Sequence, residues 1–293
     1  MPKAQANGID LHYDERGEPD GVPLLLISGL GSQSTSWDPD LLDAFADRGF
    51  RVVTFDNRDV WLSTWIDAPG LRVLKAIASA AAGVPVEAPY VLADMAADAV
   101  GLLDALGIEA AHVVGVSMGG MIAQTMAIEH PGRVLSLTSV MSTTGARDVG
   151  GPTGVAGSMA MRPSGRSRDE AIAVAVERAR AIGTPDAFDE ERVTAKAAAA
   201  YDRAFNPAGA ARQVLAILAS GSRAERLREL AVPTLVIHGA LDPLVDISGG
   251  RRTAELVPGA TLVEIDDMAH DLPPNARARV VDAITRHVAA SLV

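Results

Sequence analysis

The sequence predicts a doubly wound α/β fold, in which helices cover both faces of a mostly parallel sheet. Short apolar runs of strand length alternate along the chain with segments whose apolar residues recur at helical spacing. Most of these runs are apolar on both faces, which is typical of parallel strands buried between helices. A chain of 293 residues is long enough for one such core with an insertion.

The first two of eight predicted strands form an antiparallel hairpin. The pair Asn7 and Gly8 favours the positive φ angles of a tight turn, and the alternation Ile9, Leu11, Tyr13 follows it. Six further strands are predicted in the runs PLLLISG from Pro23, RVVTFD from Arg51, AHVVGV from Ala111, LSLTSV from Leu135, PTLVIHG from Pro233 and TLVEI from Thr261.

Three helices are predicted around these strands. Before the AHVVGV run, one apolar face consists of Met95, Ala99, Leu102, Leu103 and Leu106, and Gly107 ends the helix as a C-cap. A second helix, MGGMIAQTMAIEH, ends at Pro131, and a third runs from about Ala276 to Ala289. Strands and helices therefore alternate over most of the chain.

One long segment interrupts the alternation. Residues 145–231 contain no convincing strand, but two helical faces are visible in them: Ile172, Ala175, Val176, Ala179 and Ile182, and then Val214, Leu215 and Leu218. We expect residues 145–231 to form a helical cap (lid) inserted into a core of residues 1–144 and 232–293. Ordinary crossover helices are the alternative, although the segment is far longer than a usual crossover.

Composition excludes several classes of function. A net charge of −11 repels phosphate backbones and anionic membranes, so nucleic acid is not an expected partner. The absence of cysteine excludes disulfides, zinc-thiolate sites and cysteine nucleophiles. No apolar run approaches the roughly 20 residues of a membrane span, and the N-terminus lacks the apolar core of a signal peptide. We expect a cytoplasmic protein with a small-molecule substrate; the sequence leaves open whether it forms a homo-oligomer.

The clearest chemical motif surrounds Ser117. The residues from Gly115 to Gly119 match G-x-S-x-G and lie where a buried strand passes into a helix, a turn that exposes the serine hydroxyl. One interpretation gives Ser117 no chemical role and treats it as a serine in a tight turn. The other interpretation makes Ser117 a nucleophile, and the Met118 N–H at the helix start is then placed to bind an oxyanion. A second donor is expected from Leu30, in the loop ISGLG.

A serine nucleophile requires a base and an orienting carboxylate. We expect the base to be His270, in a loop after a strand, whereas His12, His112, His130 and His287 have structural or surface positions and His238 lies near the site. Asp242 follows the strand PTLVIHG and is the expected carboxylate, with Asp246 as runner-up. Asp267 is too close in sequence to orient His270. The chain order Ser117, Asp242, His270 is typical of hydrolase triads on a parallel sheet.

Four passages carry a family resemblance: ISGLGSQSTSW, FDNRDVWLSTW, HVVGVSMGGMIAQ, and HGALDP with MAHDLPP. In them the chain resembles the α/β-hydrolase superfamily, and looks closest to bacterial capped serine esterases of the group that includes anthracycline methyl esterases. The resemblance implies the α/β-hydrolase fold and a reaction without cofactor or metal. It implies that Ser117 forms an acyl-enzyme, that His270 is base and then acid, that Asp242 orients it, and that the Leu30 and Met118 N–H groups form the oxyanion hole.

The sequence departs from these relatives at three positions. Ser28 stands before Gly29 where many relatives have histidine, and Ala269 replaces a glycine before His270. Trp61 stands where relatives usually have glycine. We expect Gly29 and Trp61 at the substrate pocket; the alternative for Trp61 is an indole packed on the surface or under the cap.

These observations lead to a carboxylesterase hypothesis with a small or medium apolar ester as substrate. Two alternatives use the same fold. One is a cofactor-free perhydrolase or C–C bond hydrolase with the same triad, and the other is a non-catalytic ligand receptor.

Overall fold

The computed structural model describes residues 2–68, 70 and 72–291, and its central feature is one eight-stranded sheet with helices on both faces. The strands are β1 (Lys3–Ala6), β2 (Ile9–Arg16), β3 (Val22–Ile27), β4 (Phe50–Phe55), β5 (Ala111–Val116), β6 (Val134–Val140), β7 (Thr234–Gly239) and β8 (Thr261–Ile265). Their order across the sheet is β1-β2-β4-β3-β5-β6-β7-β8. Strand β2 pairs in antiparallel register with both β1 and β4, and the five remaining pairings are parallel.

The strands predicted from apolar runs are confirmed. All six runs fall in β3 to β8, and the predicted hairpin is β1 with β2. Its turn has φ of 49° at Asn7 and 79° at Gly8, the left-handed pair that an Asn-Gly turn is expected to adopt.

The described residues form eleven helices, three of which were predicted within the core. They are α1 (Pro39–Ala46), α2 (Val73–Ala82), α3 (Leu92–Ala105), α4 (Met118–Glu129), α5 (Ala156–Ala160), α6 (Arg168–Ile182), α7 (Glu190–Arg203), α8 (Pro207–Ser220), α9 (Ala224–Leu227), α10 (Ser248–Leu256) and α11 (Pro274–Ala290). Helices α3, α4 and α11 match the predicted ones, and Gly107 ends α3 with φ of 68°. Single 3-10 turns occur at Ser34–Ser36, Pro131–Arg133 and Pro185–Ala187.

Two apolar cores lie on opposite faces of the sheet. Side chains of α3 and α4 pack on one face, and side chains of α1 and α11 pack on the other. The C-terminal ends of the parallel strands consequently meet at one edge of the sheet, where loops carry the residues of the candidate site. Within the described residues, no helix combines the length and apolarity needed to span a bilayer.

All of the chain between β6 and β7 is described, and it contains helices α5 to α9 and no strand. We refer to residues 145–231 as the insertion. The most buried side chains of α6 are Ala171 and Val174, whereas Ile172 and Val176 of the expected face line a groove shared with α7 and are only half-buried.

A buried histidine at the opposite end of the sheet couples stability to pH. His112 in β5 contacts Ser136 Oγ through Nδ1 at 2.8 Å, and its Nε2 has no partner among the described residues. Burial, and to a lesser degree the nearby His287, lower the pKa of His112 to about 4. The folded protein therefore holds this imidazole neutral.

We predict that His112 lowers stability in acid. An unfolded histidine takes its proton near pH 6.5, so the stabilisation is complete above about pH 6.5 and is lost as the pH falls towards 4, by up to about 2 kcal/mol at pH 5. Urea unfolding at pH 7 and pH 5 measures the loss. The variant His112→Asn should lose less stability than the parent over this interval, and equal losses would contradict the role of His112.

Candidate active site

Ser117 occupies an unusual backbone conformation between β5 and α4. Its φ of 55° and ψ of −120° are rare for a residue with a side chain. The conformation is held from both sides, because the Ser117 N–H donates to Val140 O at 3.0 Å and Ser142 Oγ donates to Ser117 O at 2.8 Å. The turn thus places the Ser117 hydroxyl at the C-terminal edge of the sheet.

The glycines around Ser117 allow α4 to pack directly on the strands. A Cβ atom on Gly115 would overlap Gly119 O, and one on Gly119 would overlap Ile27 O. Any larger side chain at either position would push the helix away from the sheet. The G-x-S-x-G spacing is therefore required by this packing.

The three predicted catalytic side chains lie in one hydrogen-bonded chain. His270 Nε2 is 3.0 Å from Ser117 Oγ, and His270 Nδ1 is 2.7 Å from Asp242 Oδ2. The residues come from loops after three strands: Ser117 directly follows β5, Asp242 follows β7 and His270 follows β8. This arrangement is able to pass a proton from the serine hydroxyl to the imidazole while the carboxylate stabilises the resulting cation.

Asp242 is held as an anion. Its Oδ1 accepts the N–H groups of Leu244 and Val245 at 2.9 Å each. Burial raises the pKa of the Asp242 carboxyl, but contacts with His238 and His270 and the backbone donor outweigh burial and lower that pKa to about 2. The carboxylate is consequently ionised at any pH near neutrality.

His238 lies next to Asp242, near the site, as we expected from its position in the sequence. Its fully buried Nε2 is 2.8 Å from Val245 O and 3.4 Å from Asp242 Oδ2, so Nε2 carries the proton. Gly250 of α10 makes room for the ring, because a Cβ there would overlap His238 Nδ1.

The other acids considered from the sequence have different partners. Asp246 Oδ1 accepts the Ser248 N–H at the start of α10, at 3.0 Å. Asp267 pairs with Arg279 and Asn275 on the surface. Neither carboxylate hydrogen-bonds to His270.

The two expected oxyanion donors are unengaged. Neither the Leu30 N–H nor the Met118 N–H donates a hydrogen bond to a group in the described part of the chain. Gly29, next to Leu30, lies against the serine: a methyl group on Gly29 would be 3.4 Å from Ser117 Cβ and 3.9 Å from Ser117 Oγ. The loop before α1 therefore borders the hydroxyl, with free donors available to a ligand there.

Ser28 is held by two hydrogen bonds. Trp37 Nε1 donates to Ser28 Oγ at 2.9 Å, and Asn57 Nδ2 donates to Ser28 O at 3.2 Å. A buried indole and an amide thus hold this loop where many relatives have histidine. Trp37 and Asn57 were not identified from the sequence, since nothing local links them to Ser28.

Trp61 packs beneath the insertion. Its φ of 40° lies in the region that favours glycine. The indole N–H donates to Arg203 O at the end of α7 at 2.5 Å, the Arg203 guanidinium lies over the ring, and the ring meets His12 edge to face at 4.7 Å between centroids. None of these contacts reaches Ser117 or His270, which favours the second of the two expectations for Trp61.

No metal-binding cluster is formed within residues 2–68, 70 and 72–291: nowhere do three or more histidine, aspartate or glutamate side chains converge as ligands. The polar groups around Ser117 are instead those of a proton-transfer chain and backbone donors.

Comparison with known proteins places this geometry in a family. A family model described as the alpha/beta hydrolase fold matches residues 22–274. The chain is 29% identical to rhodomycin D methylesterase from Streptomyces peucetius over 97% of both chains, and 25% identical to 3-oxoadipate enol-lactonase 2 from Acinetobacter baylyi over 96% of this chain and 95% of that one. Among solved structures, the enol-lactonase from Burkholderia xenovorans LB400 is similar at a TM-score of 0.72, with 27% identity and 99% of each chain covered. The resemblance found in the sequence motifs is confirmed.

We predict that Asp242 is required for reaction at Ser117 and that Asp246 is not. In Asp242→Asn the side-chain amide donates towards His270 Nδ1 and favours the wrong tautomer, which should slow labelling of Ser117 by a fluorophosphonate about 10³- to 10⁴-fold. The matched variant Asp246→Asn alters an acid four residues away and should label within about twofold of the parent, because the Asp246 carboxylate accepts the Ser248 N–H at the start of α10 and does not contact His270. Equal labelling rates in the two variants would refute the assignment.

Proposed function

The chain belongs to the α/β-hydrolase family, and on this premise we propose that it is a serine hydrolase that cleaves carboxylic esters through an acyl-enzyme at Ser117. The hydrogen-bonded chain from Ser117 through His270 to Asp242 carries the proposal. A hydroxyl at 3.0 Å from an imidazole nitrogen, with an ionised carboxylate on the other nitrogen, is the arrangement that turns a serine into a nucleophile.

In the acylation step, Ser117 Oγ attacks the ester carbonyl carbon while His270 Nε2 takes the hydroxyl proton. The carbonyl oxygen becomes an oxyanion, which the N–H groups of Leu30 and Met118 stabilise. Collapse of this intermediate breaks the bond to the alcohol oxygen, and His270 returns the proton to the leaving alcohol. The products of the step are a free alcohol and an acyl group on Ser117.

In the deacylation step, water takes the place of the alcohol. His270 removes a proton from the water as it attacks the acyl carbon, and the same two N–H groups bind the second oxyanion. Breaking the bond to Ser117 Oγ releases the acid, and the proton returns to the serine. Asp242 remains an anion throughout, since its pKa is about 2.

The names of the relatives support an ester as substrate class. One is named a methylesterase and another an enol-lactonase, and a lactone is a cyclic ester, so the chemistry common to both names is attack on an ester carbonyl. We extend this to small and medium apolar esters, with residues 145–231 as a cap over a core of residues 1–144 and 232–293. Hydrogen bonds between the insertion and both catalytic loops support the cap: His270 N–H donates to Ile182 O, and Gly31 N–H donates to Gln213 Oε1.

We predict that Ser117→Ala abolishes hydrolysis of p-nitrophenyl acetate and p-nitrophenyl butyrate, because the remaining groups supply no nucleophile that could form the acyl-enzyme. Loss of kcat should be at least about 10³-fold at unchanged thermal stability. The control Ser158→Ala removes an exposed hydroxyl that bonds only to Val155 O within the described chain, and should keep full activity.

A wider set of substrates distinguishes the alternative functions. A panel with hydrogen peroxide plus acetate and with vinylogous diketones tests perhydrolase and C–C hydrolase activity. Faster turnover of either than of the esters would replace the esterase proposal, and ligand-induced stabilisation with negligible turnover of everything in the panel would indicate a receptor. Full activity of Ser117→Ala would remove Ser117 from the mechanism.

We predict that Gly29 bounds the space for the acyl chain. Gly29→Ala fits without overlap and places a methyl group 3.9 Å from Ser117 Oγ, so kcat/KM for butyrate should fall several-fold more than kcat/KM for acetate. Trp61→Phe should leave the butyrate-to-acetate ratio unchanged, since its contacts lie on Arg203 and His12. A changed ratio in Trp61→Phe alone would assign the pocket wall to Trp61 instead.

A further inference from the structure

The loop that carries His270 is bound by the insertion on both sides of the histidine. His270 N–H donates to Ile182 O at 3.0 Å, where α6 ends. The neighbours of His270 in the chain, Ala269 and Asp271, both bond to Thr184. Three consecutive residues of the catalytic loop are therefore attached to a single turn of the insertion.

Thr184 uses both its hydroxyl and its N–H in this contact. Its Oγ1 accepts the Ala269 N–H at 2.9 Å and donates to Asp271 Oδ1 at 2.6 Å, and its own N–H donates to the same oxygen at 3.0 Å. Thr184 is 2% exposed, so water does not compete for these bonds. The core also binds this loop, because the Leu241 N–H donates to Met268 O at 3.0 Å.

The loop with the expected oxyanion donor is bound by the insertion in a similar way. Gln213 of α8 is fully buried, and its Oε1 accepts the Gly31 N–H at 2.8 Å, one residue after Leu30. Its Nε2 donates to Arg58 O at 2.9 Å. One amide side chain thus joins the loop after β3 to the loop after β4.

Helix α8 is itself anchored rather than free to lift. Arg212, next to Gln213, forms two hydrogen bonds with Asp59 at 2.9 and 2.7 Å, and both side chains are buried. Tyr90 OH donates to the same carboxylate at 2.6 Å. A paired, buried guanidinium is costly to separate from its carboxylate, so α8 holds a constant position on the core.

We propose that Thr184 and Gln213 are positioning residues of the reaction: Thr184 sets the His270 loop and Gln213 sets the Leu30 loop. The inference rests on the proposed function, because it assigns each residue a place in that mechanism. In this proposal the insertion covers the active site and also fixes the positions of its catalytic loops. Catalysis is sensitive to such placement, since a shift of about 1 Å caused by a distant mutation can cost about a hundredfold in rate.

The Thr184 arm of the test uses an isosteric pair. Thr184→Val removes the hydroxyl with little change of shape and should lower kcat for p-nitrophenyl butyrate at least about tenfold at unchanged KM. Thr184→Ser keeps the hydroxyl and should restore kcat to within about threefold of the parent. Ser167→Ala removes the N-cap of α6, at the end of that helix far from Thr184, and should leave kcat unchanged.

A spectroscopic readout distinguishes positioning from a loss of stability. The low-field proton resonance of the hydrogen bond between His270 and Asp242 should move or broaden in Thr184→Val and stay in place in Ser167→Ala. Rates are expressed per active site, titrated with fluorophosphonate, so that an unfolded fraction does not count as lost catalysis.

The Gln213 arm tests the oxyanion hole. Gln213→Met keeps the length of the side chain but accepts no hydrogen bond from Gly31, so affinity for a trifluoromethyl ketone, which forms an oxyanion on the serine, should fall in proportion to kcat/KM. KM should not change. Ser220→Ala removes the hydroxyl that accepts the Leu92 N–H at the C-terminal end of α8 and serves as the control. If Gln213→Met does not fold, the proposal is tested by the Thr184 variants.

The results separate two failures. A parent protein that neither hydrolyses esters nor labels at Ser117 would overturn the proposed function. An active parent whose Thr184→Val variant keeps the parental kcat and resonance, or whose folded Gln213→Met variant keeps its affinity for the ketone, would overturn the positioning roles and leave the function intact.

Discussion

The close packing of α4 on the sheet is the constraint on which the site depends. Gly115 and Gly119 bring backbone against backbone with no room for a Cβ atom, and the chain between them turns so sharply that Ser117 takes a φ of 55°. A non-glycine residue is held in this conformation only where its surroundings enforce it. Here Val140 O and Ser142 Oγ bind its two peptide groups, and the hydroxyl emerges at the edge where β7 and β8 also end.

The other two residues of the site reach Ser117 because their strands end at the same edge of the sheet. Parallel strands deliver their C-terminal loops to one side of the sheet, so Asp242 and His270 need only short loops to meet Ser117. Asp242 is buried but well supplied with donors, which keeps its charge and thereby sets the tautomer of His270. By our account, Thr184 and Gln213 of the insertion then fix the positions of the two loops that carry His270 and Leu30.

How much of this could be read from the sequence depends on the range of the interactions. The eight strands and the helices α3, α4 and α11 follow from local apolar patterns, and the site residues Ser117, Asp242 and His270 follow from a local motif and from chain order. Thr184 and Gln213 carry no local signal, because their partners Ala269 and Gly31 lie 85 and 182 residues away and meet them only after the insertion has packed. The position of Trp61 under α7 was open for the same reason: the sequence shows a large side chain but not which helix covers it.

The central claim is that ester cleavage proceeds through an acyl group on Ser117. Acid quenching of the enzyme during turnover of p-nitrophenyl butyrate, followed by peptide mass spectrometry, tests it directly, because the activated leaving group makes deacylation the slower step and lets the intermediate accumulate. The account predicts one butyryl group on the peptide that contains Ser117. Steady turnover with Ser117 unmodified, or with the butyryl group on another residue, would contradict it.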